Sequence, residues 1–453
     1  MSEPPPIRHD PTPPLGWLLR EVGRLARLAL PIVISLGAAS LISVVDTIMI
    51  APLGTVPLAA ASITLSMLII FYSGLYGFVS AVGVRMAEAH GSGHAEDLSQ
   101  ATHTGLRVAA VAGLLGAALM VSLKPLLPMI GQPPEVIAAA RGYWIVMSGF
   151  LVPFVLFYTL KGLFDAIDQP WIGVGLAFLA VALNIPANWV LIHGFGDWPG
   201  LGLLGAGLAS LLSESVSLVL AWIIWRRAVV TRAARIPVAR ATSETRVQLR
   251  EGAAIAAGYV GEGGAYAVVG LMMGWFGAAA LAANQIVSSV SAVLYMVPMG
   301  VSIAVSLRVG QAIGAGERFR LTRIGTAALV MIVGWMTLVM TGVLLASGAL
   351  SEALSDDPKV VALATSMFIV VALMQIADGV QGTMLGASRG MTDNRVPVMI
   401  TLVSYWIVAL PVGYGLGFAA GLGPNAVWAG YGLGLAIAAA LITRRFFARA
   451  HQP

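Results

Sequence analysis

Twelve stretches of this chain are each apolar over the roughly 20 residues that an α-helix needs to cross the hydrocarbon of a bilayer. They lie near 28–53, 58–84, 108–130, 142–163, 172–192 and 201–225, and again near 253–275, 280–306, 324–349, 364–386, 396–419 and 425–443. Only 10% of the 453 residues are charged and 58% are hydrophobic. An ordinary soluble chain carries about 25% charged residues, so this one has too little polar surface to stay in water once folded. Glycine, at 52 residues, is enriched as it is in membrane helices. A soluble enzyme, a disordered chain and a coiled coil are all excluded. The expected fold is an all-α polytopic membrane protein with twelve transmembrane helices.

The charges then set the orientation. Between the two sets of six spans lies a polar stretch, 226–252, that carries Arg226, Arg227, Arg232, Arg235, Arg240, Arg246 and Arg250. With both termini cytoplasmic, the outside loops hold only Lys124, Arg141 and Lys359 of the 26 basic residues. The opposite orientation inverts the positive-inside rule. The expected location is therefore the inner, cytoplasmic membrane. The first 14 residues hold six prolines and no apolar run, which reads as a disordered tail. The apolar stretch that follows is too long for a signal peptide and has no small-residue cleavage site. The expected organisation is a Pro-rich cytoplasmic tail (1–24), a first lobe (25–225), an Arg-rich cytoplasmic linker (226–252), a second lobe (253–443) and a cytoplasmic tail (444–453). The basic residues are spread over loops without interleaved aromatics, which argues against a nucleic-acid partner. There is no cysteine, so disulfides, thiolate metal sites and a Cys nucleophile are absent.

An internal repeat sharpens the fold. With an offset of 223, LGTVPLAAASI (53–63) lies over FGAAALAANQI (276–286), and VSAVGVRMAEAHGSG (79–93) over SIAVSLRVGQAIGAG (302–316). This pairs Arg85 with Arg308, Gly91 with Gly314 and Gly93 with Gly316. With an offset of 225, Asp168 meets Asp393, Pro186 meets Pro411, and Gly205 and Gly207 meet Gly430 and Gly432. Six spans per half is an even number, so both halves enter the membrane in the same sense. Two six-helix lobes related by a pseudo-two-fold axis along the membrane normal follow, with an alternating-access site between them.

Four carboxylates fall inside predicted spans: Asp46, Glu214, Glu262 and Asp378. Each costs at least about 2.5–3.5 kcal/mol at mid-bilayer by insertion scales, so each needs a cavity, a partner or an ion. Glu262 stands in GYVGEGGAY, where glycines weaken the helix and allow backbone carbonyls to help hold a cation. Asp378 lies between Gln375 and Gln381 in QIADGVQG. The repeat duplicates neither: Asp46 corresponds to Val269 and Glu262 to Ala39. Pro31 removes a backbone hydrogen bond from the first span and is a candidate kink. Gly386-x-Ser388-x-Gly390 fits a hydrolase nucleophile elbow, but that elbow needs a strand before it and a later His, and here only His451 follows. His90 and His94 are separated by helix-breaking glycines, and no lysine is followed by Ser or Thr, so neither a helical metal pair nor a P-loop is present. Methionines such as Met272, Met273, Met296 and Met299 fit core packing or an adaptable pocket.

The runs LALPIVISLGAASLISVVDTIMIAPLGTVPLAAASI (28–63), VGEGGAYAVVGLMMGWFGAAALAANQI (260–286), LRVGQAIGAGE (307–317) and MLGASRGMTDNRVPVMITLVSYWIVALPVGYGLGF (384–418) resemble the multidrug and toxic compound extrusion (MATE) family, in its NorM-like branch. The resemblance implies a secondary active transporter, not an enzyme. It would export cationic amphipathic compounds by antiport with Na⁺ or H⁺, with no other cofactor. By resemblance, Glu262, Asp378 and Asp46 carry cation coupling, with Na⁺ as the one metal expected, at Glu262 and Asp378. The expected substrate-binding set is Asp46, Glu262, Asp378, Gln285, Tyr266 and Gln375. A relative with a second acid in the first lobe would carry it near Asn188, and this chain does not. The expected partners are organic cations and membrane lipid, and the expected state is a monomer. The alternative is a lipid-linked oligosaccharide or lipid flippase of the same superfamily, which calls for a basic cavity rather than acids in the spans.

Overall fold

The structure, a computed structural model, describes residues 14–130, 133–238 and 242–452. Among the described residues twelve helices are long and apolar enough to cross a membrane. The first lobe contains α1 (Pro14–Ile50), α2 (Thr55–Gly91), α3 (Ala95–Ser122), α4 (Pro134–Ala166), α5 (Pro170–His193) and α6 (Leu203–Arg227). The second contains α7 (Thr242–Trp275), α8 (Ala278–Gly314), α9 (Arg320–Leu354), α10 (Pro358–Gly390), α11 (Arg395–Ala419) and α12 (Pro424–Ala450).

Several helices overrun their apolar windows. Residues 14–24, expected in a disordered tail, form the first turns of α1, because Leu18, Val22 and Leu25 recur on one face and pack into the core. Residues 1–13 lie outside the described part. Helix α7 begins at Thr242, inside the stretch read as a linker, and buries Gln248 there. Helix α12 runs on to Ala450 because Phe446 and Ala450 are core residues. Proline opens α1, α4, α5, α10 and α12, a position where its missing N–H costs nothing. At α10 the Asp357 carboxylate also accepts the Lys359 N–H at 2.9 Å, which caps the helix.

The repeat is visible in the backbone. Gly54 and Gly277 start α2 and α8 with φ of 105° and 106°, and Gly93 and Gly316 follow the same two helices with φ of 74° and 71°. These are conformations that favour glycine. At the turns after α4 and α10 the left-handed residues are Asp168 and Thr392. The offset there is 224, so the backbone twin of Asp168 is Thr392 and the sequence pairing with Asp393 is one residue out.

Helix α8 is broken at Tyr295, between Ala278–Leu294 and Met296–Gly314. Pro298 supplies the cause, since it has no N–H for the Leu294 carbonyl and its ring clashes there. The first half packs within the second lobe, and the second half packs on α1 and α2 of the first. The hydrophobic cores follow the same division. One runs from Leu25, Ile32, Val82 and Met86 without interruption into Val301, Val305 and Val309. The other, around Ile50, Leu68, Tyr143, Trp144 and Phe154, belongs almost wholly to the far end of the first lobe. The lobes are therefore fused at one end and separate at the other.

Two glycines permit the fused end. A β-carbon on Gly91 would collide with the Gln311 carbonyl, and one on Gly314 with the Glu88 carbonyl. Both the glycines and their partners are related by the offset of 223. Two ion pairs across the lobes obey the same offset. Arg85 reaches Glu244 at 2.8 Å, while Glu21 meets Arg308 at 3.9 Å and Arg320 at 2.9 Å. Glu21 and Glu244 are nearly buried, with side chains 6% and 11% exposed, so removing either basic partner leaves a poorly solvated charge.

The cysteine-free chain gives a direct test of this contact. Spin labels on His94→Cys and Ala315→Cys are expected to report one short distance, and Gly314→Val to shift the population to longer ones. An unchanged distance distribution would mean that the glycine contact does not hold this end shut.

Candidate functional site

Each lobe holds a cluster of polar groups inside its spans. In the first lobe, Asp46 on α1 accepts a hydrogen bond from Asn188 Nδ2 at 2.6 Å and from Ser210 Oγ at 2.9 Å. Asn188 also donates to Asn184 Oδ1 at 3.0 Å. Both asparagines are fully buried, and they lie one helical turn apart on α5. A first-lobe acid is thus held by neutral donors from α5 and α6. Asn188, marked in the sequence by the acid it lacks, is one of those donors. Glu214 lies deep in α6 with Oε1 unpartnered among the described residues, and it interacts electrostatically with Tyr72 and Tyr158.

In the second lobe, Glu262 on α7 and Asp378 on α10 interact electrostatically with each other. Tyr295, Tyr405 and Tyr431 interact with both acids, and Tyr266 with Asp378. These tyrosines come from four helices. Tyr295 sits at the break in α8, and Tyr405 lies in a π-helical stretch of α11, Val403–Ala409, a local widening common at functional sites. Tyr266 stacks edge-on against Trp428 at 5.6 Å and Tyr431 at 6.2 Å, and Asn284 anchors Trp428 by accepting its indole N–H at 3.1 Å. The result is an acidic cluster set among aromatic rings and hydroxyls.

The cluster lies just beyond the point where the lobes part. Helices α2 and α7 approach closely where Gly77 faces Ala256 and Tyr259, and again where Gly74 faces Val260. Glu262 follows two residues later and is half-buried, while Tyr266, one turn further, is 37% exposed.

The glycines around Glu262 have a different use from the one expected. Helix α7 stays helical through them. Gly258 and Gly261 instead make room for Val398 and Leu402 of α11, and Trp406 Nε1 donates to the Gly261 carbonyl at 3.0 Å. Of the other expected residues, Gln375 is buried one turn from Asp378, whereas Gln285 is exposed on α8. Pro31 lies inside α1, near where Gly300 of α8 presses against Val33. Asp46 has no contact with the Glu262–Asp378 pair among the described residues. Ser388 is on the last turns of α10, where Gly386 and Gly390 press on the Ser302 and Ser306 carbonyls. That helix-on-helix packing accounts for the G-x-S-x-G pattern.

Sequence reasoning missed a third group. Between the lobes lies a cavity of about 50 Å³ whose lining includes Ser80, Lys161, Asp165, Ser306 and Arg389 among apolar side chains such as Val79, Val84 and Leu307. That is room for a few waters. Lys161 pairs with Asp165 at 2.8 Å, with side chains only 8% and 4% exposed. Arg389 donates to the Tyr259 hydroxyl at 3.0 Å and lies over its ring at 4.7 Å. The predicted span 142–163 stopped just short of Asp165, so the i, i+4 spacing of Lys161 and Asp165 went unused. The available signal for Tyr295 was Pro298, three residues on.

The comparisons with known proteins agree with this architecture. The MatE family pattern matches residues 31–190 and 254–415, one match in each lobe. A probable multidrug resistance protein NorM from Deinococcus radiodurans is 33% identical over 441 residues, covering 95% of this chain and 96% of its own. A protein of the same description from a Synechococcus species is 31% identical over 444 residues, covering 95% of each. Among solved structures, the Vibrio cholerae MATE transporter VcmN in its bent form superposes with a TM-score of 0.87 at 19% identity, covering 96% of this chain and 99% of that one. A eukaryotic MATE transporter superposes with a TM-score of 0.84 at 21% identity, covering 96% and 100%.

The network around Asp46 gives a stability test. Asn188→Ala removes a donor from a buried carboxylate and is expected to cost on the order of 1–3 kcal/mol, read as a lower thermal unfolding temperature. Combined with Asp46→Asn it is expected to cost less than the sum of the two single changes. Strict additivity would break the proposed coupling.

Proposed function

The chain belongs to the MatE family of transporters, and from that premise we propose that it exports cationic, amphipathic organic compounds by antiport with Na⁺ or H⁺. It is a multi-pass membrane transporter and not an enzyme. The observation that carries the reading is the second-lobe cluster, the proposed chamber, where two carboxyls interact with each other and with tyrosines and, among the described residues, neither forms an ion pair. Aromatic faces attract an organic cation, and the carboxylates supply charge complementarity. The same carboxylates with tyrosine hydroxyls suit Na⁺, which takes oxygen ligands, and equally a proton. Drug and ion therefore compete for one site.

Competition supplies the coupling. A ligand shifts a conformational equilibrium only through its differential affinity for the two states. An ion bound at Glu262 and Asp378 cancels one of the negative charges that favour the drug and so weakens its hold. The positive-inside rule supports placing both termini in the cytoplasm, at the inner membrane. The fused end, with Arg85 and Arg308, then faces the cytoplasm, and the chamber opens outward. In that state ions from outside reach the acids as the drug leaves. Asp46 acts in the first lobe, apart from this exchange. A monomer suffices, because both lobes lie in one chain. A flippase for an anionic lipid-linked substrate would call for cations at the substrate site; the second-lobe chamber holds acids, and of the cations in the cavity between the lobes Lys161 is already paired with Asp165 and Arg389 with the Tyr259 hydroxyl.

The test is ethidium transport in proteoliposomes with Na⁺ and pH gradients imposed separately. One gradient is expected to drive uptake, about tenfold accumulation per pH unit for one-for-one exchange with H⁺. Glu262→Gln and Asp378→Asn are each expected to abolish it. Movement of no organic cation under either gradient would overturn the proposal.

A further inference from the structure

The ion pairs that close the fused end are related by the repeat, but the clefts beside them have opposite charge. Beside Arg85 and Glu244 lies a cleft also lined by Glu88, Ser92, Asp97 and Gln100, with three acids to one base. Beside Glu21 lies a cleft of about 550 Å³ lined by Arg24, Arg27, Asp168, Trp171, Arg308 and Arg320. The offset of 223 pairs Asp97 with Arg320 and Val247 with Arg24, so two of the four arginines have no basic counterpart, while Arg27 and Arg308 correspond to Arg250 and Arg85. Closing the bundle does not require this divergence, since the Arg85–Glu244 pair holds without it.

The arginine cleft has the features of a phosphate site at a membrane surface. Its four guanidiniums face the acids Asp168, Glu21 and Glu317. Glu21 is engaged with Arg24, Arg308 and Arg320, and Glu317 with Arg320. Arg27 has no acidic partner among the described residues and is exposed on the face of α1 one turn from Arg24. Guanidinium forks match the oxygens of a phosphate bidentately. The cleft also sits at headgroup depth, because α1 becomes continuously apolar from Leu28 onward. Trp171, 58% exposed on the first turn of α5, is the kind of amphipathic ring that settles at that level. Basic pockets between helices on the side rich in Lys and Arg attract anionic headgroups.

We propose that this cleft binds the phosphodiester headgroup of an anionic phospholipid. Arg24, Arg27 and Trp171 belong to the first lobe, and Arg308 and Arg320 to the second. The bound headgroup bridges the lobes and favours the state in which this end is shut. The acidic cleft beside Arg85 and Glu244 rejects the same headgroup, so one edge of the molecule is tuned to lipid charge and the other is not.

Native mass spectrometry of the purified full chain, with phosphatidylglycerol and phosphatidylethanolamine supplied together, tests the proposal. The chain is expected to retain phosphatidylglycerol selectively. Arg24→Gln with Arg27→Gln is expected to reduce that retention by on the order of tenfold or more. Arg246→Gln with Arg250→Gln removes two charges from the matching turns of α7 and is expected to leave it unchanged. Trp171→Ala keeps every charge and is expected to weaken retention, which separates loss of the cleft from loss of charge alone. Equal retention of the two lipids, equal loss in both arginine pairs, or retention unaffected in both cleft variants would overturn the site. Displacement of the lipid by millimolar inorganic phosphate alone would assign the cleft to a free anion and overturn the lipid proposal.

Discussion

A charge inside a bilayer costs about 2.5–3.5 kcal/mol by insertion scales unless something answers it, and this chain arranges its ionisable groups around that cost. Lys161 and Asp165 cancel each other between the lobes. Arg389 rests on the ring and hydroxyl of Tyr259. Asp46 is held by Asn188 and Ser210, and Glu21 and Glu244 each meet arginines of the opposite lobe. Glu214, Glu262 and Asp378 are the exceptions. Glu262 and Asp378 interact with each other and with tyrosines, and among the described residues neither forms an ion pair. Arg389 acts on Glu262 without pairing with it, so two acids to one cation leave a place for a mobile one, and the proposed exchange depends on that.

The repeat explains why the molecule has one fused end and one parted end. Gly91 and Gly314 make reciprocal backbone contacts, as do the Arg85 and Arg308 pairs with Glu244 and Glu21, so closure is built from both halves equally. The chemistry is not shared. The acids of the chamber lie in the second lobe alone, and Tyr295 reaches them because Pro298 breaks α8 at that point. A symmetric device for opening and closing thus carries an asymmetric site, and the two clefts flanking the closure have likewise diverged in sign.

Much of this was legible in the sequence. Twelve apolar windows set the number of helices, since a continuous apolar run of about 20 residues satisfies its own backbone in a bilayer only as a helix. The pairs Gly54 with Gly277 and Gly93 with Gly316 predicted matching turns, and those residues share their φ angles within a few degrees. Glu262 and Asp378 stood out as acids in apolar runs, and the fold brings them together. Other features were invisible for physical reasons. The tyrosines come from four helices and converge only through tertiary packing. Glu21 and Arg320 are distant in the chain and sit where charge is ordinary, so nothing local marks them as partners. The glycines around Glu262 were read as ion-coordinating backbone, because close packing and carbonyl exposure leave the same trace in sequence. Only the positions of Val398, Leu402 and Trp406 distinguish the two.

The central claim is that drug and coupling ion compete for the Glu262–Asp378 chamber. The most direct measurement is equilibrium binding of ethidium to the purified protein, titrated against Na⁺ at fixed pH and against pH at fixed Na⁺. The account predicts that one of the two ions weakens ethidium binding by at least tenfold. It also predicts that this dependence vanishes in Glu262→Gln with Asp378→Asn. Ethidium affinity that is indifferent to both ions, or ion dependence that survives the double substitution, would contradict it.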